Sequence, residues 1–497
     1  MLTLAVTTAS AQRYSCIRPS ERAGTRQQYA LPEVKTFDPQ KTYRQPVILV
    51  TCSDASFTMA DPADFYNRIF NEPGYNEGVG MGCVADYVRD QSGGRLNVKF
   101  DIYGPVKVDL KAGGHIGTYF GQNILKAAVE KLCETEKTDF SIYDWDDNGN
   151  VDQVLFVAAG YTGNQKRGYI WPNTDWYIGP DLPGGVKADM VSVSCELLKY
   201  DKSCGIGTIL HEFFHCLGLP DFYPLGNAEA FSAVDEWVLM DGGNYTNYGW
   251  CPPNLSAMEK MMLGWGQPVE LTTATSVTAM KSVSDGGDTY IIRNPANRDE
   301  YYLLENRQQK DWDFGCPGNG LLIYHVDFDY LAWMGNEINI DDNHYRYSLF
   351  HADAKDYMAW DKKNDGEDDS KWVDEGHLHN QYLSTSAYPY SNPVTLVVNA
   401  SLTNDSKPAA TLFNANTDDL KLMSKPITNI QMASDGTISF DFMKDPVSVT
   451  PIRYSANGGD VPVAYFDYSG RCLPSVPSCP GIYIVRYADG TTRKVVR

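Results

Sequence analysis

The sequence predicts a multidomain protein in which a mixed α/β unit is followed by a β-rich, sandwich-like region. Three observations carry this expectation. The chain has 497 residues, more than one compact domain ordinarily holds. Strand-length apolar runs alternate with helical periodicity as far as about residue 268, the pattern of an α/β fold. Beyond Pro268 helical periodicity fades and short strands take over.

The elements follow in chain order. Residues 1–11, MLTLAVTTASA, are apolar and small and end in an A-x-A pattern, as expected of an export signal peptide. Residues 12–44 are polar and proline-containing and read as a pro-segment or N-terminal arm. Val47-Ile48-Leu49-Val50 is a buried strand with a turn at Ser53-Asp54. Helices are expected over 61–70, 84–89 and 123–133, and strands over 96–103 and 154–158, completing a domain over 45–268. Strands at 276–283, 289–293, 301–305 and 321–326 place a β-rich domain over 269–443. The run DKKNDGEDDSK at 361–371 reads as a solvated acidic loop. Residues 444–497 form a small terminal β unit.

Composition narrows the partners. Lys and Arg total 42 against 63 acids, a net charge of −21, which disfavours nucleic acid and anionic membrane and suits a hard cation. After the N-terminus no apolar stretch reaches the roughly 18 residues of a membrane span, so stable membrane insertion is not expected. Eleven cysteines fit an oxidising, extracellular compartment. Cys195 with Cys204, and Cys472 with Cys479, are close enough in sequence to close small loops, and Cys16 in the pro-segment could cap a metal as a thiolate.

The strongest signal is GIGTILHEFFHCLGLPDFY at 205–223. Ile206, Ile209, Leu210, Phe213, Phe214 and Leu217 recur at spacings of three and four, giving a helix with an apolar face. Ser203 is the expected N-cap, and Gly218 with Pro220 ends the helix. On the other side His211 and His215 stand one turn apart, so both imidazoles can reach one Zn²⁺. Glu212 lies beside the metal position, placed to take a proton from a water activated there and return it to the leaving amine. A third donor is required. Asp221, brought back by the turn at Gly218, is favoured over Glu259 of the helical stretch 256–260.

A second constellation, DWDDNGNVD at 144–152, has oxygen donors Asp144, Asp146, Asn148, Asn150 and Asp152, with Gly149 at position six. It reproduces most of a calcium loop, though Leu155 stands where an EF-hand has its bidentate Glu. Acidic turns also form without metal, so both readings stay open. Tyr223 and Tyr245 are candidates to stabilise an oxyanion.

The pattern HExxHxxGxxD at 211–221, followed by Leu239-Met240-Asp241-Gly242-Gly243, resembles the immune inhibitor A (M6) family of bacterial metallopeptidases. The likeness extends to SAMEKMMLGW at 256–265 and YYLLENRQ at 301–308 and covers roughly 45–350. It implies a metzincin-like catalytic domain, zinc, protein or peptide substrates and extracellular action, with Met240 in a turn beneath the ligands. Many related metzincins carry a third histidine where Asp221 stands. The stretch YFDYSGRCLPSVPSCPGIYIVRYADGTTRKVVR resembles the sorting domains some bacteria append to exported proteins, or is simply a small β unit. The expectation is a secreted zinc endopeptidase. Its rivals are an inactive homologue that binds protein or glycan as an adhesin, and a metallohydrolase acting on glycoproteins.

Overall fold

The structure, a computed structural model, describes residues 36–77, 80–113, 122–162, 170–198, 203–225, 233–341, 343–355, 383–444, 462–467, 472–473, 482–487 and 492–496. The signal peptide, most of the arm with Cys16, the acidic loop 361–371 and Cys479 lie outside the described residues. The chain divides into two compact units, Met1–Phe442 and Met443–Arg497.

The first unit opens with β1 (Thr42–Thr51), α1 (Pro62–Asn71), α2 (Val84–Gln91), β2 (Asn97–Lys107), α3 (Gln122–Thr135), β3 (Asn150–Tyr161), β4 (Asn173–Trp176) and β5 (Lys187–Leu197). Their sheet has the order β2-β1-β3-β5-β4. β1, β2, β3 and β5 pair in parallel, and β4 runs antiparallel at the edge beyond β5. Parallel strands are buried on both faces, and the side chains divide with period two. Val47, Leu49, Leu155 and Val157 face one core, while Ile48, Val50, Val154 and Phe156 face another. Asp61 caps α1 through the Asp64 N–H, and Cys83 and Asp86 form a reciprocal cap on α2.

Next come α4 (Gly207–Cys216) and α5 (Ala257–Met262), then β6 (Val269–Glu270), β7 (Thr275–Met280), β8 (Tyr290–Arg293), β9 (Glu300–Arg307), β10 (Gly320–Asp327), α6 (Tyr330–Met334) and β11 (Tyr347–Leu349). β6 and β8–β11 make a second sheet, ordered β11-β10-β9-β8-β6. It too is two-faced. Tyr301, Leu303, Leu322 and Tyr324 join the core that holds α4, whereas Tyr302, Leu304, Leu321 and Ile323 face a further core. That core is shared with β7, β14 (Ile427–Met432) and β15 (Ile438–Phe442), which form a three-stranded sheet. β12 (Tyr390–Ser391) and β13 (Val398–Asn399) make a small hairpin. Across residue 268 the apolar core is therefore continuous, and α4 is part of it. In the second unit β16 (Pro462–Phe466), β17 (Cys472–Leu473), β18 (Ile482–Tyr487) and β19 (Thr492–Val496) form an antiparallel sheet ordered β17-β16-β18-β19. Among the described residues no helix is long and apolar enough to cross a membrane.

Two local expectations are corrected. Cys195 and Cys204 are buried free thiols. Cys204 lies opposite Glu196, to whose carbonyl its N–H donates at 2.9 Å. Because strand side chains alternate, Glu196 leaves the opposite face of β5 from Cys195, whose thiol donates instead to the Ile170 carbonyl. Nor does Ser203 cap α4: the N-cap position is Ile206, without a side-chain bond, and the Ser203 hydroxyl accepts from the Gly205 N–H.

The shared layer gives a stability test. Leu303 is fully buried in it, so Leu303→Ala is expected to lower the unfolding free energy by about 2–5 kcal/mol in urea titration. Val394→Ser, at a side chain 89% exposed, should change it by less than about 0.5 kcal/mol.

Candidate metal centre

Every residue of α4 is buried, the condition of a helix enclosed on all sides rather than one with a solvated face. Its first turn sits tightly under the segment Gly242–Gly249, where a Cβ on Gly207 would run into the Asn244 carbonyl. Its last turn is closed by a paired motif. Gly218, at φ +106°, takes a backbone conformation that side chains rarely tolerate. Its N–H donates to the His215 carbonyl at 3.0 Å, and the Leu219 N–H donates to that of Phe214 at 3.1 Å. Those two bonds define a Schellman stop. Leu219 and Phe214, both fully buried, supply the apolar contact that accompanies it. The reversal sends the chain back along the helix and brings Asp221 to its histidines.

Three donor atoms meet there. Asp221 Oδ1 is 3.0 Å from His211 Nε2 and 3.2 Å from His215 Nε2, and the two ring nitrogens are 3.2 Å apart. Donors bound to one tetrahedral zinc at 2.0–2.1 Å stand about 3.3 Å from each other, so the set fits that ion. The remote ring nitrogens fit it too. His211 Nδ1 is 3.1 Å from the Leu239 carbonyl and His215 Nδ1 is 2.7 Å from that of Leu219. A carbonyl only accepts, so it assigns the proton to Nδ1 and leaves the Nε2 lone pair free for a cation. Three protein donors leave one tetrahedral position open, which is the catalytic rather than the structural zinc arrangement.

Burial works against charge on all of these groups, and their mutual pairing decides the outcome. For Asp221 the two imidazoles outweigh burial and hold the carboxyl well below the ordinary range. For His211 burial is outweighed by Asp221, which lifts the ring to about 9. For Glu212 burial wins and the carboxyl is raised, though His211, His215 and Thr174 pull the other way. The Thr174 hydroxyl, on edge strand β4, lies 2.7 Å from Glu212 Oε2, and the Ser192 hydroxyl donates to the Glu212 carbonyl at 3.2 Å.

Glu259, the competing donor, stands elsewhere. Its carboxylate accepts the Met240 N–H at 3.0 Å and the Ser256 N–H at 2.6 Å, capping α5 and tethering the turn at Met240. Met240 is fully buried, and its carbonyl accepts the Phe222 N–H at 2.8 Å. Tyr223 stacks near His211 with ring centroids 6.3 Å apart, and Tyr245 is 40% exposed. Of the second constellation, Asp144, Asp146 and Asp152 gather closely enough to hold an ion, and Gly149 turns the loop at φ +90°. The backbone N–H of Asn148 donates to Asp144 Oδ1 and Asp146 Oδ1 at 3.2 and 3.3 Å, and the side-chain amides of Asn148 and Asn150 donate to Asp189 on β5, at 3.3 and 2.9 Å.

The site contains partners that the sequence did not announce. Asn336, after α6, donates through Nδ2 to Asp221 Oδ2 at 2.8 Å and accepts the Asp221 N–H through Oδ1 at 2.7 Å. Thr174 and Asn336 carry no motif, and only the fold brings them to the helix.

No family model matches the chain. It is 25% identical to immune inhibitor A of Bacillus thuringiensis subsp. alesti over 281 residues, covering 45% of this chain and 41% of that protein. It is 21% identical over 240 residues to the pre-pro-metalloprotease PrtV of two Vibrio cholerae O1 strains, covering 41% of this chain and 26% of theirs. The chain is similar to metallopeptidases. It thus spans less than half the length of these relatives.

Glu259 yields a pH prediction. Burial raises its carboxyl to about 7, above the unfolded value of about 4.3. Its contribution is therefore full below the unfolded value and is lost as pH rises through 7. Glu259→Gln should flatten that fall, by up to about 3 kcal/mol between pH 5 and 8, in parallel urea titrations of both proteins.

Proposed function

We propose that the chain is an exported zinc-dependent endopeptidase of the immune inhibitor A type. The observation that supports this best is the convergence of His211 Nε2, His215 Nε2 and Asp221 Oδ1 within 3.2 Å of one another, with the buried Glu212 beside His211 on the same helix. Residues 45–268 would be the catalytic region, with 269–443 packed on it and 444–497 as an appended sorting unit. The apolar segment 1–11 supports export.

His211, His215 and Asp221 would hold the metal. When bound, zinc supplies Lewis acidity, polarising a peptide carbonyl and easing deprotonation of water. Glu212 takes the proton of the attacking water and passes it to the amine nitrogen as the peptide bond breaks. Thr174 orients the Glu212 carboxylate, and burial keeps its proton affinity above that of an exposed acid, as a group that both accepts and returns a proton requires. Tyr223, whose ring lies 6.3 Å from that of His211, and Tyr245, whose hydroxyl feels the charges of Glu212 and Asp221, are the two candidates to meet the developing oxyanion.

Purified protein is expected to hold about one zinc per chain and to hydrolyse casein until a chelator is added. Glu212→Gln should lower kcat by roughly 10²–10⁴-fold while zinc content stays unchanged, and His215→Ala should lose both. Hydrolysis indifferent to chelator and to Glu212→Gln would overturn the reading; zinc without hydrolysis in the unsubstituted chain would favour the binding homologue.

For the loop 144–152 we read calcium, held by Asp144, Asp146 and Asp152. The grouping of three carboxylates at the start of β3 supports it. Millimolar calcium should then raise Tm by a few degrees, an increment lost in Asp146→Asn. Equal Tm values in calcium and in chelator would remove the assignment.

A further inference from the structure

We infer that Asn336 is a positioning residue of the metal centre, so that a segment beyond β10 completes a site whose motif lies wholly within 211–221. The inference rests on the zinc reading above. Asp221 has two carboxylate oxygens with different partners. Oδ1 faces the imidazoles at 3.0 and 3.2 Å, and Oδ2 accepts from Asn336 Nδ2 at 2.8 Å. The Asp221 N–H donates back to Asn336 Oδ1 at 2.7 Å. One amide thus grips the backbone and the side chain of the same residue, and the donor and acceptor ends cannot be exchanged without losing both bonds. Rotation of the carboxylate away from the rings would leave buried Oδ2 without this donor, which is costly for a charged group.

Asn336 is itself held firmly. It sits at φ +53°, a conformation that Asn and Asp adopt more readily than other side chains. Its N–H donates to the carbonyl of Trp333, a fully buried ring. Three residues on, Asn339 Nδ2 donates to the Phe222 carbonyl at 2.7 Å and to that of Tyr347 at 2.9 Å, while its Oδ1 accepts the Tyr347 N–H at 3.1 Å. Two asparagines therefore dock one segment against Asp221 and Phe222, but only Asn336 touches the donor carboxylate.

That difference supplies the test. Asn336→Asp keeps the acceptor and the tolerated backbone conformation but loses the donor; Asn336→Ala loses both; Asn339→Asp weakens docking without touching Asp221. Zinc affinity of the metal-stripped full-length chain is measured by chelator competition, and ligand geometry by the cobalt absorption spectrum, on variants whose circular dichroism shows them folded. Asn336→Asp and Asn336→Ala are expected to bind zinc roughly 10–100-fold more weakly with an altered cobalt spectrum, and Asn339→Asp to match the unsubstituted chain. A folded Asn336 variant within about twofold of the unsubstituted affinity overturns the inference, as does an equal loss in Asn339→Asp. If the unsubstituted chain itself binds neither zinc nor cobalt, the metal reading falls, and this inference with it.

Discussion

A carboxylate and two imidazoles lie within 3.2 Å of one another in an interior that excludes water, and their surroundings are arranged to make that tolerable. Groups of this kind are stable inside a protein only when each lone pair and proton has a partner. The Nδ1 atoms find the carbonyls of Leu239 and Leu219, and Asp221 Oδ2 finds Asn336. The carbonyl partners are backbone groups fixed by structure that the sequence makes obligatory. Leu219 is presented by the stop at Gly218, and Leu239 belongs to the turn that Glu259 tethers through Met240. The geometry of three side chains is thus carried by a glycine, a cap and a turn that never touch a metal.

The second constraint is enclosure. Helix α4 packs against β5, β4 and the segment Gly242–Gly249, and the second sheet belongs to the same apolar core. An amphipathic helix on a single sheet would leave its histidine face to solvent. Here every residue of α4 is buried, which strengthens every electrostatic interaction in the site. The raised proton affinity of Glu212 follows from this, because burial is its largest cause. The region after residue 268 reaches the site through Asn336, which bonds Asp221.

How much of this was legible in the sequence depended on how local the cause was. Strand and helix periods gave β1, α1, α2 and α3 within a few residues, and Gly218 announced its own turn because few other residues tolerate φ +106°. His211 and His215 were visible because a helical turn fixes their spacing. Ser203 misled, since a residue type favoured at N-caps carries no information about where a preceding glycine turns the chain; Gly205, at φ +62°, starts the helix later. The proposed pairing of Cys195 with Cys204 failed on strand alternation, which sequence separation alone ignores. The contact of the Asn148 and Asn150 side-chain amides with Asp189 on a neighbouring strand was not foretold by the loop's spacing.

Thr174, Asn336 and Asn339 were not legible at all, and the reason is physical. The donors that orient the Glu212 and Asp221 carboxylates come from outside the elements that carry them, so no helical spacing of three or four announces them. Glu212 is met from an edge strand 38 residues upstream and Asp221 from a segment 115 residues downstream. Any short polar side chain at either position looks unremarkable in sequence, since its meaning comes from the partner that folding supplies. A motif of eleven residues can therefore specify which atoms meet a cation, while the precision with which they meet it is written in parts of the chain that share no pattern with the motif.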